Sequence, residues 1–130
     1  MAKQFTINGK DIHDIPSFYK EVNRVFMQEE NWQLGESLDA FNDLLYGGFG
    51  AIDRDGITEI TWLDFEESKK ALGYAVTKAW YLEKLKPESV FNKNHFQEKL
   101  SELEAGTGQT YFDIILEIIA GHNCIVLIER

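Results

Sequence analysis

The chain has 130 residues, 44% of them hydrophobic and 13% aromatic, which supplies a packed core at that length and excludes a disordered chain. Thirteen Lys and Arg stand against 22 Asp and Glu, a formal charge of −9. That balance argues against nucleic acid or an anionic membrane as the main partner and points to a cationic one. The length fits one domain, residues 1–130.

The N-terminal Met1-Ala2-Lys3-Gln4 lacks the apolar stretch of a secretory signal. No window approaches the roughly 18 apolar residues of a membrane span. A soluble, cytoplasmic protein is expected. The single cysteine, Cys124, cannot form an intramolecular disulfide, and its apolar neighbours predict a small buried hydrophobe.

Gln4-Phe5-Thr6-Ile7 alternates polar and apolar and predicts a short strand, with Asn8-Gly9 as a turn. After Asp14-Ile15-Pro16, Phe18, Val22, Val25 and Phe26 share one face of a helix. A polar loop from Glu29 to Gly35 holds Trp32, and Ser37 is the expected N-cap of a second helix, Leu38 to Tyr46, ended by Gly47 and Gly48. Ile57 to Trp62 has the alternation of a strand, and Asp64 with Glu67 predicts a capping box opening a third helix that stops or kinks at Gly73.

Tyr74 to Leu85 is helix-like, Pro87 interrupts, and Phe96, Leu100 and Leu103 mark a further amphipathic segment with Asn94 as its expected cap. Trp80, Tyr81 and Leu85 read as core packing rather than an aromatic binding stripe. Thr110 caps a helix carrying Phe112, Ile115, Ile118 and Ile119 and closing at Gly121. The uniformly apolar run Cys124 to Ile128 predicts a last strand buried on both sides, or nearly so. Strands separated by helices make the fold class α/β with a small parallel sheet.

Several motifs carry no chemistry. Gly47-Gly48-Phe49-Gly50 follows a helix and precedes no Gly-Lys-Ser/Thr, so it is not a phosphate loop. Asp53-Arg54-Asp55-Gly56 brings its glycine two positions too early for a calcium loop. His13, His95 and His122 lie far apart with no zinc-ligand spacing and read as surface or structural histidines. No metal or other cofactor is expected.

The acids are distributed unevenly. Between Arg24 and Arg54 there is no Lys or Arg, while Glu29, Glu30, Glu36, Asp39, Asp43 and Asp53 all fall in that interval. Asp39 and Asp43, four apart on the second helix, stack on one face away from Leu38, Phe41 and Leu45. A first-turn carboxylate at Asp39 is explained by the helix dipole. Asp43 is not, because mid-helix aspartate is a poor helix former and the like-charge pair costs a few tenths of a kcal/mol. Either a solvated acidic face or a preorganised anionic patch fits these residues.

Phe5-Thr6-Ile7-Asn8-Gly9 with Ile12, Leu34-Gly35-Glu36-Ser37-Leu38-Asp39-Ala40-Phe41-Asn42-Asp43-Leu44-Leu45, Thr61-Trp62-Leu63-Asp64-Phe65-Glu66-Glu67-Ser68-Lys69, and Cys124 to Ile128 resemble, in order and spacing, the barstar family of ribonuclease inhibitors. The second stretch is the most specific. Its family pattern is Gly-x-Asn-x-Asp-Ala-x-x-Asp, with the asparagine here replaced by Ser37. The resemblance spans about residues 4–72 and 109–128. It implies a barstar-like fold, a three-stranded parallel sheet with helices packed against it, plus an inserted helical segment at about 73–108.

The resemblance further implies a non-enzymatic inhibitor, monomeric when free, whose partner is a small, basic, secreted-type ribonuclease resembling barnase. Asp43 is expected where an RNA phosphate would sit, Asp39 beside basic residues at the edge, and Gly47 as a backbone contact. Glu36 lies beside them. Where the family pattern has an aromatic before the glycine loop and a tryptophan between the two aspartates, this chain has Gln33 and Asn42, and Trp32 or Tyr46 are the candidate replacements. A barstar-like module binding a different basic, non-nuclease partner is the alternative. An acid/base or Mg²⁺ enzyme ranks third, since no nucleophile, histidine or further ligand accompanies the carboxylates.

Overall fold

The computed structural model describes residues 2–130. Three parallel strands, β1 (Lys3–Asn8), β2 (Thr58–Leu63) and β3 (Ile125–Glu129), form one sheet in the order β1-β2-β3. Phe5 pairs with Ile60 and Ile60 with Leu127, so Phe5, Ile7, Ile60, Trp62, Ile125 and Leu127 share the inner face. Among the described residues six α-helices connect the strands: α1 (Ile15–Phe26), α2 (Leu38–Leu45), α3 (Phe65–Ala71), α4 (Tyr74–Lys84), α5 (Lys93–Glu104) and α6 (Tyr111–Ala120). The expected α/β class with a three-stranded parallel sheet is what the chain adopts.

Local chemistry explains the helix starts. Asp14 accepts from the Ser17 amide while the Ser17 hydroxyl accepts from the Asp14 amide, and Pro16 fits the first turn of α1. Phe18, Tyr19, Val22 and Phe26 of α1 are buried. Phe18 stacks on Trp62 of the central strand at 6.1 Å, and Phe65 and Phe112 meet the same indole edge-on. Trp62 Nε1 donates to Ser68 Oγ at 2.9 Å, and Ser68 Oγ donates to the Gly9 carbonyl, so the one polar atom of that indole is satisfied inside the core.

Four expectations of burial and capping are corrected, one of them at the cap of α5. Cys124 is exposed and lies just before β3, which begins at Ile125. β3 is an edge strand rather than one buried on both sides: Val126 is 45% exposed, because the core forms on the inner face and leaves Gln4, Thr6 and Leu63 of the outer face in solvent as well. Asp64 makes no capping hydrogen bond, because its backbone is left-handed (φ 52°, ψ 44°) instead of the extended form an N-cap adopts.

The segment 73–108, expected as an insertion, is a helical excursion that starts and ends at one place. The Phe112 amide donates to the Leu72 carbonyl, and the Tyr111 amide donates to Thr77 Oγ1 at 2.7 Å, so the start of α6 lies against the α3–α4 junction. Between them, α4 and α5 build a second small core from Tyr81, Leu100 and Leu103, flanked by Trp80, Leu85 and Phe96. Asn92, not Asn94, caps α5, its side chain accepting from the His95 amide. Lys84 Nζ sits 3.8 Å from the Phe91 ring centre and 5.0 Å from that of Trp80, tying the interhelical loop to α4.

Glu21 is the one buried carboxylate of α1. It accepts two 2.7 Å hydrogen bonds from Arg24 and one of 2.6 Å from the Asn8 amide, anchoring α1 to the end of β1. Burial alone would raise its pKa, but the Arg24 fork and the Asn8 amide outweigh it and hold the carboxyl below its ordinary value of 4.5. A depressed folded-state pKa contributes stability above the unfolded value that disappears as pH falls through the folded value. Glu21→Gln is therefore expected to cost about 2 kcal/mol at neutral pH, discounted for the exposed Arg24, and much less in acid. Urea denaturation of both proteins at neutral and acid pH measures it.

Candidate protein-binding surface

Ser37 caps α2 by accepting from the Ala40 amide at 3.2 Å. Phe41, Leu44 and Leu45 are at most 5% exposed and fix the helix on the core. At about 100° per residue, this burial turns positions 39, 42, 43 and 46 outward as one stripe. Asp39 and Asp43 are exposed, and among the described residues neither carboxylate has a hydrogen bond or ion pair. Their negative charge stands on an anchored helix and, among the described residues, has no ion-pair partner.

The other acids of the base-free interval divide by task. Glu30 accepts from the Gly50 amide at 2.8 Å and Asp53 from the Asp55 amide at 3.0 Å, so both shape loops. Glu29 and Glu36 remain exposed. The loop before α2 is held from α1: Asn23 Nδ2 donates to the Leu34 carbonyl and Asn23 Oδ1 accepts from the Leu34 amide at 2.7 Å. Trp32, 45% exposed, packs on Phe49 at 5.0 Å, so its ring braces two loops against each other.

Trp32, Gln33 and Glu36 line a groove of about 800 Å³ between α1 and this loop, together with Tyr19. Tyr19 and Tyr111 join hydroxyl to hydroxyl at 2.6 Å on its buried side. Burial raises both phenols, Tyr111 to about 12, and the negative charge of Glu36 pushes in the same direction. Both hydroxyls stay protonated, and Glu36 adds its charge at the groove's rim.

The expected site residues thus form two neighbouring groups, with Trp32, Gln33 and Glu36 at the groove and Asp39, Asn42, Asp43 and Tyr46 along α2. Gly47 makes the turn that follows α2 and its C-cap Tyr46. Its φ is +82°, its amide donates to the Leu44 carbonyl, and a Cβ there would lie 2.7 Å from the Arg54 backbone nitrogen. Arg54 Nη2 lies beside the Gly47-Gly48 turn, 3.2 Å from where a Gly48 Cβ would stand, which puts the first base after the acidic interval at the negative end of α2.

Asn42 is half-buried and engaged: His122 Nε2–H donates to Asn42 Oδ1 at 2.7 Å, and the Tyr46 ring meets the His122 ring at 4.5 Å. His122 therefore belongs to this surface, although it reads from the sequence as an isolated histidine. Eighty residues separate it from Asn42, and no local pattern signals the contact. Among the described residues, no three His, Cys, Asp or Glu side chains cluster as a metal site, and no helix is long and apolar enough to cross a membrane.

Residues 2–86 match the family model described as Barstar (barnase inhibitor). No match was found among curated proteins. The matched span contains the groove, α2, Gly47 and α4 and ends in the turn after it, so the expected insertion at about 73–108 is corrected: its first helix, α4, lies within the family match and only α5 lies beyond it.

Proposed function

The chain belongs to the barstar family, and from that premise we propose that it inhibits a small basic ribonuclease one to one, covering the active site with the loop 32–37 and α2. The observation that carries this reading is the pair of unneutralised carboxylates, Asp39 and Asp43, on a helix whose opposite face is locked in the core. A nuclease cleft must hold Arg, Lys or His to bind phosphate, and fixed carboxylates stand in for those phosphates without being cleaved. The surface is preorganised by Ser37, Asn23 and the Trp32–Phe49 contact, so little ordering remains to be done on binding. The partner contacts proposed are Trp32, Gln33, Glu36, Asp39, Asn42, Asp43, Tyr46 and the Gly47 backbone. The protein itself has no catalytic role.

The test is affinity capture from a native lysate with the wild-type chain and with an Asp39→Ala/Asp43→Ala variant as bait, followed by an RNA-cleavage assay on the captured protein. A basic nuclease held by the wild type, silenced at one equivalent and absent from the variant's eluate is the expected result. A non-nuclease partner lost with the same variant replaces this reading with that of a barstar-like interaction module. The α5 helix favours that second reading, since it lies outside the matched span and adds surface of its own.

A further inference from the structure

The α6–β3 turn reaches across to α2 through one side chain. His122 touches both Asn42 and Tyr46, which flank Asp39 and Asp43 on the exposed stripe, so its ring stands at the edge of the anionic surface. With Nε2 carrying the proton donated to Asn42, Nδ1 is the basic nitrogen. Protonation there keeps the bond to Asn42 and adds a full positive charge.

We propose that His122 is a positioning residue of the inhibitory surface that also makes it pH-responsive: neutral, it sets Asn42 and Tyr46 beside the two aspartates, and charged, it repels the cationic partner. The inference rests on the inhibitor reading for the sign of the partner's charge.

The surroundings of the ring support a charge change in the accessible range. From α2 it faces Tyr46, with Asp39 and Asp43 on the same stripe, and Asp53, Arg54 and Cys124 share with it a cavity of about 500 Å³. On α6, Glu117 is taken up by Gln109. Burial lowers the imidazole below its ordinary 6.5, so the ring is neutral at neutral pH and gains its charge only below that value. A cationic partner disfavours the imidazolium further. The bound-state pKa then lies below the free one, and affinity is lost as pH falls through the free value. A unit charge about 8 Å from a partner cation, at an effective dielectric of about 30, costs on the order of a tenfold loss of affinity.

The experiment has two arms. In the free protein, an NMR titration follows the His122 ring, the Asn42 side-chain amide and the Tyr46 ring, which are expected to shift with one common midpoint. Asn42 and Tyr46 signals indifferent to that midpoint overturn the coupling. In the second arm, affinity for barnase is measured at about pH 8 and about pH 5.5 for the wild type and for His122→Gln, which keeps a donor to Asn42 and cannot charge. The wild type is expected to lose on the order of tenfold more affinity on acidification than the variant, and equal losses overturn the proposal. His122→Ala, lacking the donor as well, is expected to bind more weakly than His122→Gln at about pH 8; equal affinities remove the positioning role. If barnase is not bound at either pH, the inhibitor reading fails for that enzyme while the titration arm still judges the coupling.

Discussion

Asp43→Ala is expected to weaken binding to the cognate ribonuclease by about 3 kcal/mol, with Asp39→Ala costing less, about 1–2 kcal/mol. The ordering follows from position. Asp43 is central on the stripe, one turn from both Asp39 and Gly47, with Asn42 and Tyr46 beside it to exclude water once a partner docks. Asp39 sits in the first turn next to the exposed Glu36, where residual hydration weakens any ion pair. The two losses should fall short of additivity in the double variant, because both carboxylates act on one cluster of partner charges.

Stability should move the opposite way. Alanine replaces a poor helix former at position 43 and removes a like-charge neighbour, so the folded state gains a few tenths of a kcal/mol. A variant that melts slightly higher and binds far more weakly separates a binding residue from a structural one. The association rate should lose much of its salt dependence in the double variant, since steering by the unpaired acids is what salt screens. Stopped-flow association at low and high salt, with calorimetric affinities, measures all of this. Unchanged affinity for Asp43→Ala sinks the inhibitory role of the stripe.

What was legible in the sequence is whatever depends on near neighbours. Ser37 before Leu38, the Phe41 and Leu45 face, the Thr110 cap and the alternation around Ile60 each rest on contacts within a turn or a strand, and each appears as read. The outward placement of Asp39 and Asp43 follows from that same face. The misses are long-range. Cys124 and Val126 sit in an apolar run, yet whether such a run is covered on one face or two depends on helices elsewhere in the chain. Asp64 and Glu67 have capping-box spacing, but the junction between β2 and α3 turns through a left-handed residue that spacing does not reveal. Glu30 lies in the interval without Lys or Arg, and nothing local shows that it holds the Gly50 amide twenty residues away. Neither the His122–Asn42 bond nor the Tyr19–Tyr111 pair, 92 residues apart, leaves a local trace.

Gly47→Ala is expected to destabilise the fold by about 3 kcal/mol, which distinguishes two reasons for a glycine at this place. If the residue served only to let a partner's backbone approach, alanine would cost affinity and leave stability alone. The geometry argues for the second reason. At φ +82° an alanine sits in the left-handed region that L side chains disfavour by roughly 1–2 kcal/mol. Its methyl would also lie 2.7 Å from the Arg54 nitrogen, 2.8 Å from the Arg54 Cα and 3.0 Å from the Ile52 carbonyl, all of them backbone atoms that move only if the loop leading into β2 moves. Ile52 is buried in the main core, so that loop is not free to yield. The displacement would carry Tyr46 with it and loosen its contact with His122, so affinity falls too, as a consequence of the shifted turn. Thermal or urea unfolding of Gly47→Ala beside Asp43→Ala is the decisive comparison: the first should lose stability, the second should keep it, and a Gly47→Ala variant as stable as the wild type would return the glycine to a purely contact role.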